Sequence, residues 1–334
     1  MMQLLKFVEL MIKTKLWPVK VDSDGTFKPD LMHSAVLIPF FFALVALGVV
    51  LYFTFPGLIF RDWTKMSQII DFSMVCTLVL AIPGIFGTTS SIQALGPLIS
   101  ETKATLTPRM YINFLARNLL YAAHIISIEI MVIPQPNFSS TTNHLLYWTS
   151  LVYMNLYLIL MQMGASGLQL VSMFSFNDGI SATSLKIKQS TEDIKSLKDH
   201  ALRLNSYYDS SMPVAFLFVQ ISCIFAFYMI VVQDVFPFHA LLQFLYNSYA
   251  VLSLLNLIEE CYSLAHDLAC KARENSADCK TISEMTKVQA AVREMEACFP
   301  FEPKGYFALE KSTLTALAAN TLTYLIVLLQ FNFE

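Results

Sequence analysis

The 334-residue chain is too apolar for a soluble protein of its length. Hydrophobic residues make up 55% of the chain and charged residues only 14%, and the mean hydropathy is +0.55. A soluble fold cannot bury that much apolar surface, and a net charge of -3 gives no reason to expect a nucleic-acid-binding protein. The composition therefore predicts an all-α protein that crosses a membrane several times.

The first 30 residues are predicted to form an amphipathic segment at the membrane surface. Apolar residues recur there at helical spacing, namely Leu4, Leu5, Val8, Met11 and Ile12. Charged residues interrupt this run, so we do not expect a cleaved signal sequence.

Seven stretches of about 20 residues are apolar enough to cross a bilayer. The predicted spans cover residues 31–55, 69–95, 111–133, 145–171, 213–233, 238–258 and 312–333. The third span carries Arg117 and Glu129, which must face protein, water or an interface because lipid cannot solvate them.

The distribution of Lys and Arg predicts the orientation, since these residues collect on the cytoplasmic side. Eighteen of them lie in segments on one side of the predicted spans, against Arg61 and Lys65 on the other. The N-terminus is therefore predicted to be cytoplasmic and the C-terminus extracellular. The sequon at Asn137 then falls in an outer loop, as a glycan acceptor requires.

The chain divides into six parts on this basis. They are a cytoplasmic amphipathic segment (1–30), spans one to four (31–171), a cytoplasmic helical segment (172–212), spans five and six (213–258), a cytoplasmic anchor segment (259–311) and the last span (312–334).

Both long cytoplasmic segments contain apolar residues at helical spacing. These are Ile187, Ile194, Leu197, Ala201, Leu204 and Tyr208 in the first, and Val288, Val292, Met295 and Phe299 in the second, where Thr281 and Glu284 also suit a capping box. Such helices either pack together beneath the membrane as an assembly domain or lie singly on the bilayer surface.

The last span has a stripe of small and polar residues along one face. At about 100° per residue, Thr313, Ala316, Asn320, Thr323, Val327 and Gln330 fall within about 100° of one another. This pattern indicates either helix packing through hydroxyl and amide groups or a water-lined path shared by several subunits.

Residues 323–331 read Thr-Tyr, five apolar residues and Gln-Phe. This stretch resembles the signature of insect gustatory receptors, which lies in the seventh helix just before the chain ends. Residues 305–310 and 312–320 are also similar to the approach to that helix in the family. The seven spans, the cytoplasmic N-terminus and the long cytoplasmic segments before spans five and seven fit the family over the whole chain. Leu325, where the sugar-responsive branch often has an acidic residue, favours the bitter-type or fructose-like branches.

The resemblance implies a ligand-gated, poorly selective cation channel in the plasma membrane, built from four identical or related subunits. In that family the seventh helices line a central pore and the cytoplasmic helices hold the subunits together. Carried onto this chain, Gln330 and Phe331 would lie at or near the gate, with Thr323 and Val327 on the same face. The resemblance therefore favours a pore over simple helix packing, opened by a small tastant.

A ligand pocket is predicted among the outer halves of spans two to six. Aromatic and hydrogen-bonding residues occur there at similar depth, and they would suit a small organic tastant or a sugar. The candidates are Glu129, Trp148, Tyr153, Tyr228, Gln243, Tyr246 and Asn247. Trp and Tyr also anchor many membrane proteins at the lipid headgroups, which is the alternative role for these residues.

Signatures of enzymes are missing from the sequence. It has no phosphate-binding glycine loop, nucleophile elbow or zinc-like cysteine spacing, so we expect no enzyme activity, metal or cofactor. Two other membrane functions remain as alternatives. A G-protein-coupled receptor would have an extracellular N-terminus, which the distribution of Lys and Arg opposes, and a carrier would show an internal repeat or paired broken helices.

Overall fold

The computed structural model describes residues 19–21, 27–29, 108–131, 141–185, 191–232, 238–276 and 281–332. A short strand pair comes first, β1 (Val19–Val21) and β2 (Phe27–Pro29). Six helices follow within these ranges: α1 (Pro108–Met131), α2 (Thr141–Leu185), α3 (Thr191–Val232), α4 (Phe238–Ser276), α5 (Ile282–Glu296) and α6 (Lys311–Asn332). A single 3-10 turn, Pro303–Gly305, lies between α5 and α6. Apart from this strand pair, the described architecture is helical and confirms the predicted all-α class.

The strand pair is an addition that helical periodicity could not predict. β1 and β2 run antiparallel, with Val19 opposite Pro29 and Val21 opposite Phe27. Extended pairing is reasonable here because residues that favour strands, Val19 and Val21 before and Phe27 after, flank a stretch of turn-forming residues, Asp-Ser-Asp-Gly, at positions 22–25. The amphipathic helix predicted around residues 4–12 lies outside the described residues.

The five later spans fall on the described helices. The third and seventh spans correspond to α1 and α6, whose bounds differ from the predicted ones by three residues or fewer. The fourth and sixth lie within α2 and α4, and the fifth ends one residue beyond Val232, the last residue of α3. Spans one and two and the sequon at Asn137 lie outside the described residues.

Three helices in the described part of the chain are long and apolar enough to cross a membrane. They cover Glu192–Val232, Phe238–Glu274 and Lys311–Gln330. The first two also extend far beyond the bilayer thickness, because about 20 residues are enough to span it. In α3 the helix runs through Pro213 at the predicted membrane boundary, where the proline removes one backbone donor without ending the helix.

The extensions of α2, α3 and α4 pack with α5 into one apolar core, here called the inner bundle. The stripe predicted on α3 is buried in it, including Ala201, Leu204 and Tyr208, each 1% exposed or less. Val292 and Met295 on α5 are buried against the same core. These residues therefore pack against other helices of the chain, rather than lying on single, unpacked helices.

The ends of α5 are held by local contacts. Thr281 accepts a hydrogen bond from the backbone N–H of Glu284 at 3.3 Å, which is one of the two bonds of the predicted capping box. Two ion pairs join α5 to its neighbours, Lys198 Nζ to Glu294 Oε2 at 2.7 Å and Arg273 Nη2 to Glu296 Oε2 at 2.6 Å. Exposed pairs of this kind contribute little, so the apolar core supplies most of the stability of the bundle.

His200 should make the inner bundle sensitive to acid. Its ring lies 4.8 Å from that of Phe176, and burial, reinforced by the charge of Arg203, lowers its pKa to about 4. The unfolded chain binds the proton below about pH 6.5. Stability is therefore full above pH 6.5 and falls as the pH drops toward 4, by on the order of 2–3 kcal/mol.

Thermal unfolding of the purified protein between pH 7 and 4.5 tests this expectation. His200→Phe should unfold with a flatter pH dependence than the wild type, because phenylalanine can stack on Phe176 without titrating. His266→Phe is the control, since His266 is exposed on α4. Equal pH slopes for the wild type and His200→Phe would contradict the assignment.

Candidate functional site

Polar side chains from α1, α2 and α4 meet inside the membrane-spanning part of the bundle, where lipid offers them no hydrogen bonds. We call this set the polar seam. Hydrogen bonds or ring contacts join Arg117, Asn118 and Tyr121 on α1, Gln162, Ser166 and Gln169 on α2, and Tyr246 on α4. We include in the seam three buried residues on the same helical faces, Asn155 on α2 and Gln243 and Asn247 on α4.

Direct hydrogen bonds join the three helices along the seam. Arg117 Nη1 donates to Gln169 Oε1 at 2.7 Å, and the side chains of Asn118 and Ser166 approach to 3.1 Å. Arg117 thus turns toward protein, as its place in an apolar span requires.

Tyr246 lies where the helices meet. Its hydroxyl accepts a hydrogen bond from Gln162 Nε2 at 2.6 Å, and its ring centroid is 5.1 Å from that of Tyr121. One turn closer to the predicted cytoplasmic side, the hydroxyl of Tyr249 donates to Asn113 Oδ1 at 2.7 Å. The bond of Tyr249 joins α1 to α4 outside the seam.

Several buried polar atoms of the seam have no hydrogen-bond partner among the described residues. They are Gln243 Oε1, Asn247 Nδ2, Asn155 Nδ2 and Arg117 Nε. Gln243 and Asn247 are 5% and 3% exposed and lie four residues apart, on one face of α4. An unpaired buried amide is costly, so a bound polar molecule would stabilise this arrangement.

The predicted ligand residues divide into three groups in the structure. Gln243, Tyr246 and Asn247 lie on the face of α4 that belongs to the seam. Tyr228 is fully buried on α3, in an apolar cluster with Ala240 of α4 and Leu325 of α6. The side chains of Glu129, Trp148 and Tyr153 lie outside the described ones, although their backbones belong to α1 and α2.

Sequence reasoning missed the contributions of α1 and α2 to the seam. Asn155, Gln162 and Gln169 recur every seven residues along the fourth span, and Arg117 and Tyr121 lie four residues apart on the third. Each set occupies one helical face. This spacing of polar residues within apolar spans could have identified both faces.

The last helix, α6, touches the rest of the chain along one narrow stripe. Thr321 and Leu325 are each 8% exposed, and the half-buried Leu314, Leu317 and Leu328 continue the stripe against α3 and α4. Of the apolar stretch of α6 that is long enough to cross a membrane, only 6% is buried against the rest of the chain. Most of the α6 surface is therefore left for lipid, water or another subunit.

The polar stripe predicted on α6 faces away from this packed side. Asn320, Thr323, Val327 and Gln330 are exposed and lie roughly 100–180° around the helix from Thr321. Thr323 Oγ1 donates to the carbonyl of Ala319 at 2.9 Å, so its hydroxyl is already bonded within the helix. The side chain of Phe331 lies outside the described ones, although α6 includes its backbone. These four residues are therefore not used for packing against the described helices, whereas Thr313, the first residue of the stripe, is half-buried.

The fold is similar to that of solved insect receptor structures. The insect olfactory receptor OR5 from Machilis hrabei matches with a TM-score of 0.66 and 13% sequence identity, covering 98% of this chain and 98% of that one. The same receptor in complex with eugenol matches with a TM-score of 0.67 and 13% identity, covering 98% of this chain and 99% of that one. The sequence matches no protein-family profile and no curated protein.

The likeness defines the class of fold. Together with the long apolar helices, it makes this chain a multi-pass helical membrane protein with the architecture of an insect olfactory receptor.

Proposed function

We propose that the chain is an insect chemoreceptor that acts as a ligand-gated cation channel, with a small tastant, bitter-type or sugar, as its ligand. Four copies, identical or mixed with related receptors, would surround a central pore in the plasma membrane. The observation that carries the proposal is the exposed polar face of α6, opposite its packed side, in a chain with an insect-receptor fold.

The exposed face of α6 has the chemistry that an ion path needs. Asn320 and Gln330 supply amides that can replace part of the hydration shell of a cation, and Val327 supplies an apolar ring between them. Such a ring stays dry when it is narrow and conducts when it widens. Gln330 and Phe331 belong to the gate in this proposal, as the gustatory-receptor signature implies.

The polar seam is the proposed ligand site. It combines the aromatic rings of Tyr121 and Tyr246 with unpaired amide atoms of Gln243 and Asn247. A small molecule with one apolar ring and one or two hydroxyl or carbonyl groups would satisfy both features. Glu129, Trp148, Tyr153 and Tyr228 remain candidates for a second group of contacts nearer the predicted outer surface.

Expression of the chain in cells of low background conductance tests the function. Sugars and bitter compounds are applied while whole-cell current is recorded, and surface labelling confirms delivery to the plasma membrane. A cation current evoked by one compound would support the proposal. Uptake of a compound without ionic current would favour a carrier, and an extracellular N-terminal tag in intact cells would favour a G-protein-coupled receptor.

Tyr246→Phe should weaken the response to the ligand. The substitution keeps the ring but removes the hydroxyl that accepts from Gln162, leaving the amide of Gln162 unpaired in the seam. We expect the half-maximal agonist concentration to rise about tenfold, as the loss of one buried hydrogen bond suggests. Dose-response curves of the agonist current measure the change.

Tyr249→Phe is the matched control. It loses a comparable hydrogen bond, to Asn113, outside the seam on the same helix. Equal shifts in the two variants would mean that loosening of the α1–α4 contact, rather than ligand contact, explains the effect.

A further inference from the structure

The loop between α5 and α6 is closed by the side chain of Tyr262 on α4. The hydroxyl of Tyr262 accepts from the backbone N–H of Phe301 at 2.7 Å and donates to the carbonyl of Leu309 at 3.1 Å. The backbone N–H of Leu309 donates in turn to the carbonyl of Phe301 at 2.8 Å. Phe301 and Leu309 are both fully buried. The two ends of the loop are thereby fixed to each other and to α4.

Glu259 holds the first residue of α6. Its Oε1 accepts from the backbone N–H of Lys311 at 3.2 Å, and its Oε2 forms an ion pair with Lys311 Nζ. The first N–H groups of a helix have no partner within that helix, and a carboxylate there is also favoured by the helix dipole. Glu259 therefore attaches the N-terminus of α6 to α4 through both backbone and side chain.

A third contact holds the middle of the loop to α3. The backbone N–H of Lys304 donates to Asp209 Oδ1 at 2.8 Å. Lys304 has a backbone φ of +49°, which residues other than glycine rarely adopt. The hydrogen bond to Asp209 therefore stabilises a turn of unusual backbone conformation. The N-terminal end of α6 and the loop before it are thus held by Tyr262, Glu259 and Asp209. Among the described residues, the rest of α6 contacts α3 and α4 through its narrow apolar stripe.

The residues that hold α6 lie on the same unbroken helix as the proposed ligand residues. α4 runs without interruption from Phe238 to Ser276, and Tyr262 is about 24 Å along it from Tyr246 at 1.5 Å per residue. A continuous helix moves largely as one body, because every backbone hydrogen bond resists local bending. A displacement of α4 at the seam would therefore reach Glu259 and Tyr262.

We propose that Glu259 and Tyr262 are positioning residues that couple α4 to α6, so that ligand binding in the seam moves the inner end of the pore helix. This inference rests on the proposed function, and it adds the route by which the ligand biases the pore. Neither residue touches the ligand or the ion path. Their effect is on the balance between the closed and open arrangements.

The contact itself is tested without any channel activity. Hydrogen–deuterium exchange is measured over residues 309–313 in the full-length protein in detergent, for the wild type, Glu259→Ala and Glu259→Gln. Glu259→Ala should raise exchange of the Lys311 amide about tenfold, since it removes a charged acceptor. Glu259→Gln, which keeps an acceptor, should give an intermediate value. Unchanged exchange in Glu259→Ala would overturn the inference.

The coupling is tested by agonist current together with ligand-induced thermal stabilisation. Glu259→Ala and Tyr262→Phe should each lower the maximal agonist current several-fold at equal surface expression, while the ligand still raises the unfolding temperature. A purely structural role would leave the maximal current per surface channel unchanged. Glu259→Gln should recover part of the lost current. Tyr306→Phe is the control, because Tyr306 lies in the same loop and is 72% exposed.

The outcomes separate the two proposals. A wild type that gives agonist current, with Glu259→Ala and Tyr262→Phe both indistinguishable from it, overturns the coupling role and leaves the proposed function intact. A wild type that reaches the cell surface and gives no current with any agonist, alone or with related receptors, overturns the proposed function and the coupling role that depends on it.

Discussion

Val327→Cys should give a channel whose agonist current is lost on treatment with a charged, water-soluble thiol reagent. Val327 is 40% exposed on the side of α6 that faces away from the protomer, and the reagent can react only where water reaches the thiol. A bulky charge at the centre of the proposed pore would block cation flow, so we expect most of the current to disappear. The rate of loss in the presence and absence of agonist measures access in the open and closed channel.

Leu325→Cys is the matched control for this experiment. Leu325 lies two residues away on the same helix, but it is 8% exposed and packs against α3 and α4. Its thiol should react slowly and leave the current intact. The wild type must also resist the reagent, and the described native cysteines, Cys223, Cys261, Cys270 and Cys298, are buried or half-buried. Equal block of both variants would contradict a pore lined by this face.

Leu204→Ala should destabilise the inner bundle severely. Leu204 is 1% exposed in the core that α3 shares with α2, α4 and α5. Truncation removes apolar contacts and leaves a cavity, which costs about 2–5 kcal/mol in a well-packed core. Thermal unfolding of the purified protein should show a midpoint lower by about 5–15 °C.

Leu202→Ala is the control that separates the loss of buried packing from any general effect of an alanine substitution on the stability of α3. Leu202 lies two residues away on α3 and is 46% exposed, so its truncation creates no cavity within the protomer. The midpoint should stay within about 2 °C of the wild type. If both variants unfold at the same lowered temperature, burial within the bundle does not explain the contribution of Leu204.

The membrane-spanning elements were the easiest part of the fold to predict. The third and seventh spans nearly coincide with α1 and α6, because the thickness of the bilayer fixes the length of an apolar stretch. The inner continuation of α2 and α3 was not predicted as part of the same helices. Hydropathy marks where a helix leaves the lipid rather than where it ends, and Pro213 at that boundary does not interrupt α3.

The candidate site could be predicted only in part. Gln243, Tyr246 and Asn247 share one helix, so their spacing alone placed them on a common side. The packing of Tyr228 against α4 and α6 depends on which helices pair, and a single sequence does not contain that information. The same limit applies to Glu259 and Tyr262. They are ordinary residues of α4 until the loop from Phe301 to Leu309 folds against them.

The unpaired amides of the polar seam have a consequence for how this chain can diverge. Gln243 Oε1 and Asn247 Nδ2 have no hydrogen-bond partner among the described residues. Replacing either side chain with an apolar one of similar size should therefore lower the free energy of unfolding only slightly. Selection for folding then restrains the apolar inner bundle far more than the seam. Descendants of one gene could change the compounds they detect by drift at a few seam positions, with the architecture inherited unchanged.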